Sequence, residues 1–361
     1  MRLALDLSAS ARTLSHPNPS VGCVLLAPDG QPIGQGHTQA PGGPHAEIMA
    51  LRDAAARGHS VAGATAYVTL EPCSHHGRTP PCVDALLAAG VRRVVYAVGD
   101  PDPRVNGRGA SLLREAGVQV ESGLLEADSE TLNEGFLTRV RRKRPFIRLK
   151  TGASLDGRTA LANGESRWIT GEPAREDVQH WRAQSAAVLT SAATVLADDP
   201  RLDVRIDTPR QPLRVVLDRR RVVRRGARIL KSPGRVLLFS ASRAKASRDA
   251  APEKLGTATI ERVKLRNSHL DLARVFARLA ELEINEVLVE AGPRLSGALL
   301  TAGLVDEWIV YVAPKLLGRD ARPLAVMPRL RRLRDAPQFE LRDTLAVGND
   351  VRLRLRPRRK T

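Results

Sequence analysis

Short apolar runs alternate with helix-length stretches along almost the whole chain, and this alternation confines the fold to sheets flanked by helices. In the first part, strands are read at 21–26, 66–70 and 93–98, and helices at 46–56 and 82–89, the second stopped by Gly90. The rhythm breaks at 138–145, a basic stretch without an apolar face that ends in Pro145 and marks a boundary. Beyond it, strands are read at 146–151, 187–190, 213–217, 235–239, 286–289 and 307–312, and helices at 173–184, 270–279 and 293–300. Two α/β domains are therefore expected, 1–145 and 146–361, because 361 residues exceed the roughly 100–200 of one ordinary domain.

Charge and cysteine usage narrow the setting. No apolar run approaches the roughly 20 residues that a membrane-crossing helix needs, the N-terminus lacks the basic start and apolar stretch of a secretory signal, and three cysteines are too few for a disulfide framework. A reducing cytoplasm is expected. The net charge of +18 invites a polyanionic partner, and basic residues cluster at Arg139, Arg141, Arg142, Lys143 and Arg144, at Arg219, Arg220, Arg221, Arg224 and Arg225, and in a basic tail at 352–360. Only 3% of residues are aromatic, which leaves few stacking platforms for single-stranded nucleic acid, so the basic excess reads as a solvated surface or as a general attraction for phosphorylated small molecules.

The most specific chemistry lies in Pro44-His45-Ala46-Glu47, in Glu71-Pro72-Cys73 and in Cys82. One imidazole and two thiolates hold Zn²⁺ in three tetrahedral positions and leave the fourth to water, whose pKa the metal lowers towards about 7. Glu47, in the first turn of the helix expected to start at His45, is placed to move the water proton to a departing amine, as in zinc deaminases. A structural zinc would need a fourth protein ligand, for which His75 and His76 are the candidates, whereas Cys23 sits inside an apolar run and reads as core. Zinc deaminases usually place two residues between their cysteines; here eight intervene, 74–81. Two rival readings stand beside the small-molecule deaminase: a deaminase of nucleic-acid bases, and a basic RNA-binding protein with a structural zinc.

In the second domain the expected strand at 286–289 runs into Glu290-Ala291-Gly292-Pro293-Arg294-Leu295-Ser296-Gly297. Gly292 frees the backbone and Pro293 suits the first helical position, so this is either a phosphate-receiving helix start or simply a turn. It lacks the glycine pattern of a standard dinucleotide fold. Arg182 and Arg205 offer planar donors to a phosphate or are solvated surface charges. Trp168 reads equally as core, and Asp198 as a turn cap.

The segment from Glu71 to Cys82, with Asn18-Pro19-Ser20-Val21-Gly22 upstream, resembles the deaminase domain of the bifunctional riboflavin-biosynthesis deaminase/reductases, the RibD family. The resemblance continues through 150–158, 164–170 and 194–200, and so covers nearly the whole chain. It implies a cytidine-deaminase-like αβα domain followed by a dihydrofolate-reductase-like α/β domain. The first would remove an amine from a diamino-phosphoribosylaminopyrimidinone, and the second would use NADPH to reduce the ribosyl group to ribityl. It also implies NADPH contacts at Gly152, Trp168, Thr194, Asp198, Gly292, Pro293, Arg294, Leu295, Ser296 and Gly297, and substrate contacts at Ser166, Arg182, Leu202, Arg205 and Glu290. Lys150 is a further candidate for positioning substrate, and the family implies a homodimer.

Overall fold

The structure is a computed structural model that describes residues 1–75, 80–242 and 253–358. Contacts divide the chain into two compact units, Met1–Lys143 and Arg144–Thr361. No helix among the described residues is long and apolar enough to cross a membrane.

The N-terminal unit runs α1 (Arg2–Ala11), β1 (Gly22–Leu26), β2 (Pro32–His37), α2 (Ala46–Ala56), β3 (Thr65–Leu70), α3 (Cys82–Ala88), β4 (Arg93–Val98), α4 (Arg108–Glu115), β5 (Gln119–Ser122), α5 (Glu126–Leu132) and α6 (Glu134–Arg142). Its sheet has the order β2-β1-β3-β4-β5, with β1 antiparallel to both neighbours and β3, β4 and β5 parallel. Sequence reading did not find β2, because Pro32-Ile33-Gly34-Gln35-Gly36-His37 holds one large apolar residue and two glycines. Packing explains the glycines. A Cβ at Gly34 would come within 2.3 Å of the Ala50 carbonyl oxygen and one at Gly36 within 2.6 Å of the Ala50 nitrogen, so their absence lets α2 lie flush on β2.

The basic stretch at 138–145 is not a break over its full length. Most of it is the end of α6, whose Phe136 and Leu137 are buried and whose Val140 packs on the same core. Arg139, Arg141 and Arg142 fall in its last turn, where cations suit the helix dipole. The helix stops at Lys143, which takes a left-handed conformation.

The C-terminal unit runs β6 (Phe146–Ser154), β7 (Arg158–Ala160), α7 (Glu172–Gln184), β8 (Ala187–Ser191), α8 (Ala192–Asp198), β9 (Leu213–Leu217), α9 (Arg228–Lys231), β10 (Val236–Ala241), β11 (Glu253–Leu255), β12 (Ala258–Val263), β13 (Leu265–Arg266), β14 (His269–Leu270), α10 (Leu272–Glu281), β15 (Glu286–Glu290), α11 (Pro293–Thr301), β16 (Glu307–Ala313), β17 (Arg322–Pro323), β18 (Phe339–Val347) and β19 (Asp350–Pro357). The main sheet has the order β11-β12-β10-β9-β8-β15-β6-β16-β19-β18, parallel from β12 to β16 and antiparallel at its ends. Alternate residues feed two cores: Leu237, Phe239, Val287 and Val289 pack with α10 on one face, and Leu238 and Leu288 with α7 on the other. Burial on both faces is why these strands read as continuous apolar runs. The helix expected from 270 starts at Leu272, because the Asp271 carboxylate caps it by accepting from the Ala273 and Arg274 amides while Leu270 pairs in β14.

The stretch read as a basic tail at 352–360 is mostly β19; 359 and 360 lie outside the described residues. Leu353 and Leu355 pack towards one core, while Arg352 and Arg354 alternate onto the face of α7. Arg352 pairs with Asp177 and Asp343, and Arg354 with Glu307. Arg148, 2% exposed, bonds to Glu307 at 2.5 Å and Glu286 at 2.9 Å, and the guanidinium carbons of Arg148, Arg352 and Arg354 lie 5.1–5.5 Å from the Trp181 ring centroid. These arginines are interior charges with partners, not a solvated tail.

Burial pushes the Glu307 carboxyl up, but the Arg148 and Arg354 charges outweigh burial and hold it at about 2, below the ordinary 4.5. The folded state therefore favours the ionised form, and this stabilisation is present above pH 4.5 and lost as pH falls towards 2. Acid titration of the denaturant midpoint of the C-terminal unit should show that loss, and Glu307→Gln should remove it and destabilise the unit at neutral pH by less than the roughly 3–5 kcal/mol of a fully broken buried pair, because Arg148 keeps Glu286.

Candidate functional site

In the N-terminal unit three chain segments converge. His45 is the residue before α2, with extended backbone (φ −75°, ψ 170°), so its ring leaves the chain where the helix begins and Glu47 falls in the first turn. Cys73 follows β3. Its approach is set by Glu71, a buried carboxylate that accepts from the Gly107 amide at 3.0 Å, the Ala110 amide at 3.2 Å and the Asp100 amide at 3.4 Å. A Cβ at Gly109 would lie 2.1 Å from the Pro72 carbonyl oxygen, so the start of α4 packs directly on the turn that delivers Cys73. Cys82 is the first residue of α3, and its amide donates to the Cys73 sulfur at 3.4 Å.

The ligand atoms of His45, Cys73 and Cys82 all lie within 4.8 Å of one another. His45 Nδ1 is 3.5 Å from Cys73 Sγ and 3.3 Å from Cys82 Sγ. Tetrahedral zinc with ordinary bond lengths sets nitrogen and sulfur ligands about 3.6 Å apart, so the donor set and its spacing fit Zn²⁺ with one position left for water. Electrostatics agree. Hydrogen bonding from the Cys82 thiol, helped by His45, brings Cys73 down to about 4, while the Cys73 sulfur and burial push Cys82 well up. A bound dication would favour the ionised form of both thiols. Burial, then the Cys73 charge, raises Glu47 to about 7. Cys23 is buried in β1, as expected of a core residue. His75 is not in the ligand group, and His76 lies outside the described residues, so among the described residues the group has three ligands and not the four of a structural site.

In the C-terminal unit the residues singled out in the sequence gather at the carboxyl ends of the parallel strands, where α/β sheets place their ligands. Glu290 ends β15 and lies in register with Lys150 of β6. Arg182 of α7 grips Glu290 at 2.6 and 3.0 Å and donates to the Asp203 carbonyl at 3.1 Å. Lys150 Nζ stands 3.7 Å from Glu290. Burial pushes Glu290 up, yet Arg182 and Lys150 outweigh it and hold the carboxyl at about 2. Gln179 accepts from the Arg205 amide and Gln211 bonds to both backbone groups of Val204, which fastens the loop of buried Leu202 and exposed Arg205 beside Arg182. Arg182, Leu202, Arg205 and Glu290 are thereby brought together, while Ser166 sits half-buried on a different loop.

That second loop links the residues expected at the cofactor. A Cβ at Gly152 would meet Thr170 Cγ2 at 3.2 Å, and Arg167 donates to the Asp198 carbonyl at 2.5 Å. Trp168 is 63% exposed, so it is not core. Thr194 lies in the first turn of α8, capped by Ser191. The turn at 292–297 is divided: Gly292 caps α11 with open space around it and Arg294 is exposed, whereas Leu295 packs on the core, Ser296 is buried with its hydroxyl on the Gly292 carbonyl, and Gly297 is pressed against the Val326 backbone. Sequence reading placed Glu71 in the Glu71-Pro72-Cys73 motif without finding its anchoring role, and it missed Asp203, Arg175 and Lys315, which no local pattern marks apart from other charged residues.

Comparison with known proteins agrees with this geometry. Residues 1–98 match the cytidine and deoxycytidylate deaminase zinc-binding region, and 145–353 match the RibD C-terminal domain. The riboflavin biosynthesis protein RibD of Escherichia coli K12 is 52% identical over 368 residues, covering 98% of each chain, and that of Haemophilus influenzae is 43% identical over 99% of this chain and 96% of its own. Among solved structures, Acinetobacter baumannii RibD superposes with a TM-score of 0.87 at 43% identity, covering 99% of this chain and 97% of that one. A Thermotoga maritima diaminohydroxyphosphoribosylaminopyrimidine deaminase/5-amino-6-(5-phosphoribosylamino)uracil reductase does so with 0.86 at 34% identity and the same coverage.

Purified protein should carry about one zinc per chain by elemental analysis, and Cys82→Ser or His45→Ala should each lower zinc retention during dialysis against a chelator by at least about 10-fold.

Proposed function

Since the chain belongs to the RibD family of bifunctional riboflavin-biosynthesis deaminase/reductases, we propose that residues 1–145 deaminate a diamino-phosphoribosylaminopyrimidinone and that residues 146–361 reduce the ribosyl group of the product to ribityl. The observation that carries this reading is the convergence of His45, Cys73 and Cys82 beside the buried carboxyl of Glu47.

His45, Cys73 and Cys82 hold the zinc. Bound there, zinc supplies a Lewis acid that makes its water a nucleophile near neutral pH. Glu47 would take a proton from the attacking water and return it to the exocyclic amine nitrogen as the bond from that nitrogen to the ring carbon breaks and ammonia leaves. Its burial beside the ligands keeps it within reach of both sites of proton transfer, and the helix that begins at His45 carries it there.

In the C-terminal unit Gly152, Trp168, Thr194, Asp198 and the turn at 292–297 would hold NADPH, with Gly292 and Arg294 the open part of that turn, and the cofactor when bound would supply the hydride for the sugar carbon. Ser166, Arg182, Leu202, Arg205 and Glu290 face the substrate. Arg205 is exposed and without a side-chain partner among the described residues, so it takes the phosphate, while Arg182, already clamped to Glu290, orients that carboxylate towards the sugar. Lys150 shares Glu290 and positions the same end of the substrate. Reduction then depends mainly on holding cofactor and sugar in line. The enzyme works in the cytoplasm, where its three thiols stay reduced, as a homodimer.

The test is ammonia release and NADPH oxidation measured on one preparation. Glu47→Gln should lower ammonia release by about 10²–10⁴-fold and yet oxidise NADPH at the wild-type rate when given the deaminated intermediate. Wild-type protein that releases ammonia without oxidising NADPH would remove the reductase half of the proposal.

A further inference from the structure

The loop that carries Trp168 is anchored at three backbone points. Lys315 Nζ donates to the Trp168 carbonyl at 2.7 Å, Arg175 Nη1 donates to the Thr170 carbonyl at 2.9 Å, and Asp350 accepts from the Gly171 amide at 2.7 Å. Arg175 does a second thing. Its guanidinium carbon lies 4.4 Å from the centroid of the Trp168 ring, well inside the range of a stacked cation. The residue is nevertheless 63% exposed. A large apolar ring this exposed, on a loop with an anchored backbone and beside a cation, offers surface to a flat partner.

We propose that Arg175 is a positioning residue of the reductase site: lying over the Trp168 ring and bonded to Thr170, it holds the indole in one orientation so that its exposed surface receives a planar ring of NADPH. The inference rests on the reading that Trp168 touches the cofactor. Arginine suits the role because a planar guanidinium can stack and donate in its own plane at the same time, which a lysine ammonium cannot. Gly152 contributes from below. Its missing side chain leaves room for Thr170, whose Cγ2 would otherwise be 3.2 Å from a Cβ, and so for the carbonyl that Arg175 holds.

The chain has three tryptophans, and Trp181 and Trp308 are each only 9% exposed, so acrylamide quenching of the folded protein reports mainly on Trp168. NADP⁺, which does not absorb where indole emits, should protect Trp168 from acrylamide in the wild type. Arg175→Met should raise quenching of the free enzyme and raise KM for NADPH by about three- to fivefold, with kcat at saturating NADPH and the unfolding midpoint nearly unchanged; Arg175→Lys should recover only part of the loss. If NADP⁺ gives no protection in the wild type, the cofactor contact of Trp168 fails. If protection is seen and Arg175→Met leaves both KM and quenching unchanged, the positioning role is overturned while the contact stands. A parallel fall in kcat and in the unfolding midpoint would also overturn it, by making Arg175 a structural residue only.

Discussion

A parallel sheet has to be covered on both faces, and in the C-terminal unit that constraint decides where chemistry can occur. From β12 to β16 successive residues bury into opposite cores, leaving the middle of the sheet without room for a ligand. The polar residues that matter are displaced to the carboxyl ends: Glu290 at the end of β15, Lys150 and Gly152 towards the end of β6, and Thr194 just after β8. The exception is the charged layer under α7, where Arg148, Glu286, Glu307 and Arg354 are interior. It persists because each ion meets an opposite charge, and Trp181 fills the space between the guanidinium groups.

The metal site of the N-terminal unit follows a related logic on a mixed sheet. Backbone contact without intervening side chains, at Gly34 and Gly36 against α2 and at Gly109 against Pro72, lets two helices approach the sheet closely. That closeness sets the start of α2, and hence His45 and Glu47, against the turn after β3 that presents Cys73. Glu71 then ties this turn to α4 through three amide hydrogen bonds. Glycines and a buried carboxylate with no chemical duty thus set distances that the ligands themselves cannot set.

Membership of a family that joins a deaminase to a reductase gives these two sites a common pathway, and the sites solve opposite electrostatic problems. At His45, Cys73 and Cys82 two sulfurs and a carboxyl crowd into a buried space, where burial and then the Cys73 charge raise Glu47 and hydrogen bonding from Cys82 lowers Cys73, and such a group suits a cation. At Arg182 and Lys150 two positive charges meet on the carboxylate of Glu290. The overall charge of +18 reflects neither site alone, since many of its arginines are consumed inside the C-terminal unit.

Much of this was legible without coordinates. The grouping of His45, Cys73 and Cys82 near the start of α2 and the central strands were readable because each depends on local pattern: residue types at short spacing, or apolar runs buried on both faces. β2, the helical character of 138–142 and the inward arginines of β19 were not, because glycine-diluted or charged stretches acquire structure only from what packs against them. Arg175 beneath Trp168, the Arg182–Glu290 clamp and the pressed Gly297 join segments far apart in sequence. The sequence by itself determined which chemistry the chain can perform, since that follows from residue types. Only the tertiary structure decided which charges are buried, which faces stay open and which side chains hold others in place, because those depend on distances between segments that no local pattern encodes.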